Sequence, residues 1–240
     1  MNTKEEIIKK IKEKGYWEIN IRPDSYKAQR IDKRLLRDIV RTCKVGMSGW
    51  DYPPFADRDG EPYPILNGIE KSVSWENYIE FWRMTTSANF YHLVALREDW
   101  CGDVEYHNVW AQGDELKGKK WLGVFRTLYT FTEIFEFAKR LASKDIFDEI
   151  IVIDIKLHDL KNRMLVVDDR HKVPFSYPRV AQITEAWSYS KKSFSAIDLL
   201  SKRDELALDQ FLHLVYIFQW ENPPVDTLKN EQQKFLQGKI

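Results

Sequence analysis

The chain has 240 residues, of which 43% are hydrophobic and 14% are aromatic, and this composition excludes an intrinsically disordered chain. Its 37 Lys and Arg residues balance its 37 Asp and Glu residues, so the formal net charge is +0. A zero balance argues against bulk attraction to nucleic acid or to an anionic membrane, although it permits a local charged patch.

The sequence gives no sign of a membrane partner or of secretion. The longest strongly apolar run, near residues 212–218, is too short to span a bilayer, and the N-terminus lacks the apolar region of a secretory signal. The two cysteines, Cys43 and Cys101, lie far apart and predict no disulfide framework, which favours a reduced, cytoplasmic setting. Because no repeat or Gly/Ser linker interrupts the chain, we expect one compact domain over residues 1–240.

Residues 1–45 form a basic N-terminal segment with thirteen Lys or Arg residues against seven Asp or Glu residues. A Thr and an Asp stand at the N-cap positions of two predicted helices, over residues 3–14 and 32–44. Between these helices, residues 16–23 alternate apolar and polar side chains, which predicts a half-buried strand.

Residues 46–68 are expected to form an irregular loop, because four prolines prevent a regular helix or strand ladder. Asn67-Gly68 is a favourable type I′ turn and predicts a small hairpin of residues 63–66 and 69–73. A helix is then expected over residues 74–87, since apolar residues recur at i, i+3, i+4 and i+7. That stripe consists of Trp75, Tyr78, Ile79 and Trp82.

Three strands are expected in the middle of the chain, over residues 90–97, 104–111 and 121–130. Thr130 and Glu133 have the T-x-x-E spacing of a capping box, which predicts that a helix begins at Thr130. Further helical segments are expected toward the C-terminus, over residues 195–201, 203–219 and 225–236.

The sheet is expected to be organised around residues 149–167, which predict a long strand, a turn at Lys161-Asn162 and a second short strand. Alternation gives the long strand one apolar face, formed by Ile151, Ile153, Ile155 and Leu157. The strand–helix–strand order predicts that residues 121–130 and 149–158 run parallel with a right-handed crossover. The fold class is therefore α+β, or α/β with antiparallel additions, with a mixed, mainly antiparallel sheet and helices on at least one face.

The helix over residues 32–44 has the most organised charge pattern in the chain, because its cations gather opposite an apolar face. The cationic residues are Lys33, Arg34, Arg37, Arg41 and Lys44. This face is a candidate for phosphate contacts, and the nearby Trp50 and Tyr52 are candidates for stacking on bases. The alternative interpretation is an ordinary solvated face, with both aromatic residues packed locally beside the prolines.

Asp154-Ile155-Lys156 resembles the (D/E)-x-K step of metal-dependent nucleases over these three residues. The resemblance implies that Asp154 holds Mg²⁺ or Mn²⁺ and that Lys156 steadies the attacking water. A second carboxylate would be needed nearby, and the candidates are Asp145, Asp148 and Asp168. The alternative interpretation is a surface ion pair at the polar end of a strand.

Possible metal ligands also cluster around Cys101, namely His92, Glu98, Asp99, Asp103, Glu105 and His107. The spacing lacks a second Cys or His of a zinc finger, so a turn between strands is the better interpretation. Cys101 as a nucleophile with His92 or His107 as its base has no local signature. Residues 57–60 are rejected as a calcium loop, because their glycine comes too early for an EF-hand.

Three classes of function remain. The expected one is a non-catalytic binding or regulatory module that needs no cofactor and acts on nucleic acid or a protein partner. The alternatives are a metal-dependent nuclease or phosphodiesterase that uses Asp154 and Lys156, and a structural or assembly protein. The oligomeric state stays open.

Overall fold

The computed structural model describes residues 3–56, 60–101, 116, 118–183 and 185–239. Its strands are β1 (Tyr16–Pro23), β2 (Tyr63–Ile65), β3 (Gly68–Trp75), β4 (Tyr78–Thr85), β5 (Phe90–Ala95), β6 (Trp121–Gly123), β7 (Ile150–His158), β8 (Met164–Val166), β9 (Arg179–Val180), β10 (Trp187–Ser188) and β11 (Ser193–Ser195). Its helices are α1 (Lys4–Ile11), α2 (Leu36–Cys43), α3 (Val124–Ala142), α4 (Ala196–Tyr216) and α5 (Val225–Leu236), with a 3-10 turn at Arg97–Asp99.

The larger sheet has the strand order β10-β7-β1-β5-β4-β3-β2, and β11 also pairs with β7. All of these pairs are antiparallel. The smaller sheet has the order β6-β8-β9, in which only β6 and β8 run parallel. The predicted α+β class with a mainly antiparallel sheet is thus confirmed.

Helix α3 lies across one face of the larger sheet and forms the centre of the hydrophobic core. The apolar sides of β1 and β7 point toward it, as the alternation predicted, and its Phe131 ring packs edge-on against Trp17 at 5.3 Å between centroids. Helices α4 and α5 cover the outer side of α3. Helix α1 packs on the opposite face of the sheet through Ile7 and Ile11, so the sheet has helices on both faces.

The prediction of a helix over residues 74–87 is wrong. This segment belongs to the β3–β4 hairpin, which turns at Glu76-Asn77. Ile79 packs toward α1 and Trp82 toward α3, on opposite faces of the sheet. The apparent helical stripe arose because Trp75 and Tyr78 are paired across the turn. The hairpin predicted around residues 63–73 is confirmed by the β2–β3 pairing, but its turn is Leu66-Asn67 and Gly68 already belongs to β3, so the type I′ turn predicted at Asn67-Gly68 is wrong.

The strand predicted over residues 121–130 is also wrong beyond its first three residues, because α3 begins at Val124. Thr130 is therefore not an N-cap but lies inside α3, where its hydroxyl donates to the carbonyl of Arg126 at 2.9 Å. The capping box with Glu133 does not exist, and Glu133 is buried in the helix.

The turn at Lys161-Asn162 is present, but the strands on either side of it belong to different sheets. Asp159 and Asn162 have positive φ angles of 62° and 59°, and this backbone directs the chain away from β7. Strand β8 consequently pairs in parallel with β6, so the predicted parallel pairing of residues 121–130 with 149–158 is wrong. The side-chain alternation of β7 itself is confirmed.

Helices α1, α2, α4 and α5 agree in most respects with the helices predicted from the sequence. Helix α1 has a capping box between Thr3 and Glu6, and α5 has the predicted bounds. Helix α2 begins at Leu36, after a turn that Asp32 stabilises. The two segments predicted over residues 195–219 are one helix, α4, with a kink at Lys202. The strand predicted over residues 104–111 lies outside the described residues.

A buried ion pair joins the two sheets. The guanidinium of Arg163, which is 0% exposed, bonds both carboxylate oxygens of Asp99 at 2.8 and 2.7 Å. A Cβ added at Gly15 would lie 2.4 Å from the same guanidinium, so a glycine is required there. This contact fixes the turn at Arg97–Asp99, which forms one wall of the cavity described below. In the described part of the chain, no helix is both long and apolar enough to cross a membrane.

Candidate ligand-binding site

A cavity of about 780 Å³ lies beside the N-terminal half of α3. Its walls come from the sheet, the loop around Trp50, the turn at Arg97–Asp99, the segment 168–172 and helix α5. This volume is within the range of about 300–1,000 Å³ that is typical of small-molecule sites.

The position of α3 depends on a cap that is distant in sequence. The N-cap residue is Gly123, which has no side chain to offer, and the carboxylate of Asp168 accepts from the backbone N–H groups of Phe125 at 2.7 Å and Arg126 at 3.0 Å. A Cβ at Gly123 would lie 2.3 Å from Asp168 Oδ2, so the glycine makes room for the cap. Burial raises the pKa of Asp168 despite these two bonds.

Glu133 is the most unusual residue of the cavity. It lies two turns into α3, on the same helix face as Arg126 and Thr130, and Ser48 is among its neighbours. Its Oε1 is buried and has no hydrogen-bond partner among the described residues. Burial raises the pKa of Glu133 to about 8, and the neighbouring Glu80 adds to the effect, whereas Ser48 and Arg97 oppose it.

Glu80, from β4, is a second buried carboxylate of the cavity and is fully paired. Its Oε1 accepts from Trp50 Nε1 at 2.9 Å, and its Oε2 lies 2.9 Å from His92 Nε2. The Trp50 ring in turn packs on Tyr78 at 4.3 Å between centroids. Trp50 and Glu80 therefore hold each other in place along the cavity wall.

Two hydroxyl groups add to the unsatisfied polar surface of the cavity. The hydroxyl of Thr127 and that of Tyr52 are both buried without a hydrogen-bond partner in the part of the chain that the structure describes. Both residues line the cavity. Buried polar groups are almost always hydrogen-bonded, because leaving one unpaired costs about 1–3 kcal/mol. Three such groups lie around this cavity, where a bound molecule or ordered water can supply their partners.

Charge is layered across the cavity. Among the described lining residues, every charged residue that is buried is a carboxylate, namely Glu80, Glu98, Glu133 and Glu231. The lining cations are all partly or fully exposed, namely Arg97, Arg126, Arg170, Lys172, Lys234 and Lys239. The buried charges of the lining are thus acidic, and two of them pair with exposed cations, Glu98 with Arg126 and Glu231 with Lys172 and Lys234.

The structure separates the predicted nucleic-acid site into two places. Trp50 and Tyr52 line the cavity, whereas the cationic residues of α2 and its flanks do not. Four of these cations pair with local carboxylates, in the pairs Arg34–Asp32, Arg37–Glu61, Arg41–Asp38 and Lys44–Asp51. The fifth, Lys33, donates to the carbonyl of Leu66 at 3.0 Å.

Asp154 and Lys156 lie on β7, on the face of the sheet that points away from the cavity. Asp154 forms an ion pair with Lys192 at 2.8 Å, in line with the surface-pair interpretation. Of the suggested second carboxylates, Asp148 is held by Arg30, Lys27 and Ser25, and Asp168 caps α3. No group of three or more acidic, His or Cys side chains suited to a metal ion occurs in the residues that the structure describes.

The four described residues of the group predicted around Cys101, namely His92, Glu98, Asp99 and Cys101, do not form a common metal site. His92 bonds Glu80, Asp99 bonds Arg163, and Glu98 faces the cavity, where its carboxylate accepts from the N–H of Gly123 at 3.3 Å. The Cys101 thiol donates to the carbonyl of Glu98. Asp103, Glu105 and His107 lie outside the described residues, as does most of the rejected calcium loop.

Sequence reasoning missed the residues that define the cavity. Glu133 was assigned to a helix cap and Asp168 to a nuclease, and Glu80 and Arg126 were not singled out. One signal was available for Glu133, because it is the one charged residue in the otherwise aromatic and apolar run 131–135, apart from Thr132. Comparisons with protein-family models, with curated proteins and with solved structures gave no significant match to this chain.

Proposed function

We propose that the chain is a non-catalytic binding module whose ligand is a small polar molecule held in the cavity beside α3. The observation that carries this proposal is the buried and unpaired Oε1 of Glu133, which faces a cavity large enough for a ligand. The unpaired hydroxyls of Thr127 and Tyr52 support it, since a ligand with several hydrogen-bonding groups satisfies all three.

Thermal unfolding with a panel of small polar compounds tests this proposal. The panel contains nucleotides, amino acids, amino sugars and dicarboxylates. A compound at 100 times its Kd should stabilise the chain by about 2.7 kcal/mol, or roughly 5–10 °C at this chain length. The stabilisation should decline in Glu133→Gln and in Thr127→Val, and the compound should be recovered chemically unchanged.

Matched controls come from the exposed surface of the same fold. Glu205→Gln and Thr227→Val make the same chemical changes at exposed positions of α4 and α5. They should leave the stabilisation intact. A panel without any stabilising compound, or a stabilisation that both cavity variants retain in full, would contradict the proposal.

Nucleic acid at the basic face of α2 stays a second candidate, supported by the exposure of Lys33, Arg34, Arg37 and Arg41. Their local partners reduce the expected affinity, because a cation that already has a carboxylate partner releases fewer counterions. Binding of a labelled duplex and of a single strand should fall steeply with salt and be weakened in the triple variant Arg34/Arg37/Arg41→Ala. Equal, weak binding by both proteins excludes this interface.

The remaining expectations are also proposals. A nuclease that uses Asp154 predicts cleavage with Mg²⁺ or Mn²⁺ that is lost in Asp154→Asn. An assembly protein predicts a stable homo-oligomer in size-exclusion chromatography that is indifferent to nucleic acid. A reduced, cytoplasmic setting is supported by the two free thiols, of which Cys43 is buried.

A further inference from the structure

We infer that the cavity beside α3 binds its ligand through a primary ammonium group, which takes the place of the proton at Glu133 Oε1. The inference rests on the proposed function and specifies the chemical class of its ligand. It follows from the partners of the other lining carboxylates, from the net charge around Glu133, and from the hydroxyl and aromatic groups nearby.

The chain supplies partners for the other carboxylates that line the cavity. Glu98 accepts from the N–H of Gly123 and forms an ion pair with Arg126 at 3.9 Å. The remaining ones accept from side chains or from backbone N–H groups, namely Glu80, Asp168, Asp169 and Glu231. Among the described lining residues, Glu133 alone has a buried carboxylate oxygen without a hydrogen-bond partner. The donor for this oxygen therefore comes from a ligand or from water.

The charged groups around Glu133 leave room for one more positive charge. Arg97 lowers the pKa of Glu133 and Glu80 raises it, but the Arg97 guanidinium lies over the ring of Tyr78, 3.8 Å from the centroid, and does not bond Oε1. His92 is 0% exposed and its Nδ1 has no partner in the described chain, which favours the neutral imidazole. With Glu133 ionised, the two carboxylates and Arg97 have a net charge of −1. A proton or a monovalent cation at Glu133 neutralises this charge, and a buried charge needs such a partner.

A primary ammonium group suits this place better than other organic cations do. It is compact and has three N–H donors. Glu133 Oε1 accepts one of them, and the buried hydroxyl of Tyr52, which also lacks a partner among the described residues, accepts another. Burial and the charges of Glu80 and Glu133 raise the pKa of Tyr52, so its hydroxyl lies near both carboxylates. A guanidinium needs two free oxygens for its bidentate bond, and a quaternary ammonium has no N–H for Oε1.

The walls of the cavity suit the body of such an amine. Trp50 lines the cavity and is held at Glu80 by its N–H bond of 2.9 Å. An aromatic ring beside a carboxylate favours an ammonium group, because the negative face of the ring attracts a cation. Trp17, Leu96 and Phe125 add apolar surface to the lining. We therefore expect an amine with a hydrocarbon or aromatic body.

Titration calorimetry of the full chain at pH 7 with matched amines and alcohols tests the inference. The amines are n-butylamine, 2-phenylethylamine and tyramine, and each is compared with the alcohol that has a hydroxyl in place of the amino group. We expect at least one amine to bind about tenfold or more tightly than its alcohol and than its trimethylammonium analogue, because a charged hydrogen bond replaces a neutral one or none. Glu133→Gln should remove this preference, and the exposed-surface control Glu205→Gln should retain it.

Proton release provides a second readout that a structural role of Glu133 would not move. Burial raises the pKa of Glu133 to about 8, so the free cavity holds the protonated acid at pH 7, whereas an alkylamine is charged there as a Lys side chain is. The groups that face Glu133 come from the loop around Trp50, from β4 and β5 and from the turn after β5, namely Ser48, Tyr52, Glu80, His92 and Arg97.

Forming the ion pair should release close to one proton per bound amine at pH 7, which is measured from the heats in phosphate and Tris buffers. The amine should also bind about tenfold or more tightly at pH 8 than at pH 6, because less work is then needed to ionise Glu133. Glu133→Gln should show neither effect. Amine binding without proton release would contradict the exchange of a proton for an ammonium group.

Two further outcomes overturn the inference. If every amine binds no better than its alcohol, the free oxygen of Glu133 is a site for ordered water or a neutral donor. If the preference for an amine persists in Glu133→Gln, the ammonium group lies elsewhere. If a compound without an amino group stabilises the chain through Glu133 while no amine binds, the inference fails and the proposed function stands.

Discussion

Replacing Glu133 with Gln should make the folded chain more stable at alkaline pH. The pKa of Glu133 is about 8 in the folded state and has an ordinary value of 4.5, so folding favours the protonated form. Since the folded-state pKa is raised, the native chain loses stability as pH rises from 4.5 to about 8, and the loss is then complete. The two values set an upper bound of about 5 kcal/mol for this loss.

Gln is close in shape to protonated Glu and never ionises, so the variant avoids the loss. We expect the two proteins to have similar free energies of unfolding at pH 5, and the variant to be more stable by at least about 2 kcal/mol at pH 9. Urea denaturation followed by circular dichroism at pH 5, 7 and 9 measures the difference, with Glu205→Gln as the exposed control. A difference that does not change with pH, or a variant that is less stable at pH 9, would refute the reasoning.

Three further predictions concern contacts that position the cavity. Arg163→Met leaves the carboxylate of Asp99 buried without its partner and should lower the free energy of unfolding by about 3–5 kcal/mol in urea denaturation; a loss below 1 kcal/mol would contradict the buried pair. Gly123→Ala displaces the cap of Asp168 and should destabilise the chain by about 1–2 kcal/mol, whereas it should add little in an Asp168→Ala background. Arg30 holds the pKa of Asp148 well below its usual range, so the ionised carboxylate stabilises the folded chain and this stabilisation should be lost as pH falls below about 4. In Asp148→Asn, the melting temperature measured in a pH series should fall less steeply over the same acid range.

The elements that the sequence predicted correctly are those whose signals are local. Helix α1 has its own capping residues, a short turn beside the predicted position joins β2 to β3, and β7 alternates in a way that defines its core face. Each of these signals lies within about ten residues of the structure that it specifies. The fold class followed from them, because a mainly antiparallel sheet needs only the strands and their short turns.

The failures occurred where a distant residue decides the local structure. The start of α3 is set by Asp168, which is 43 residues away from Phe125 in sequence, so the first turns of the helix looked like a strand. The spacing of Trp75, Tyr78, Ile79 and Trp82 is compatible with a helix and with a tight hairpin, and only pairing with β5 decides between them.

The cavity was not predictable for a related reason. Glu80 and Glu133 are single acidic residues in a chain with 37 of them; Glu80 stands in no recognisable motif, and the T-x-x-E pattern of Glu133 points to a helix cap instead of a cavity. Their significance comes from burial and from missing partners, which depend on packing between β4, α3 and the loop around Trp50. Trp50 and Tyr52, which were predicted to stack on bases beside the basic face of α2, line the cavity instead.

The most direct test of the binding site is a two-dimensional amide NMR titration of the full chain with the compound that stabilises it most. If the cavity is the site, shifts will cluster in residues 48–52, 124–133 and 168–172 and will be reduced in Glu133→Gln. Shifts confined to residues 33–44, or to the face of β7 that carries Asp154, would contradict the account and place the ligand elsewhere.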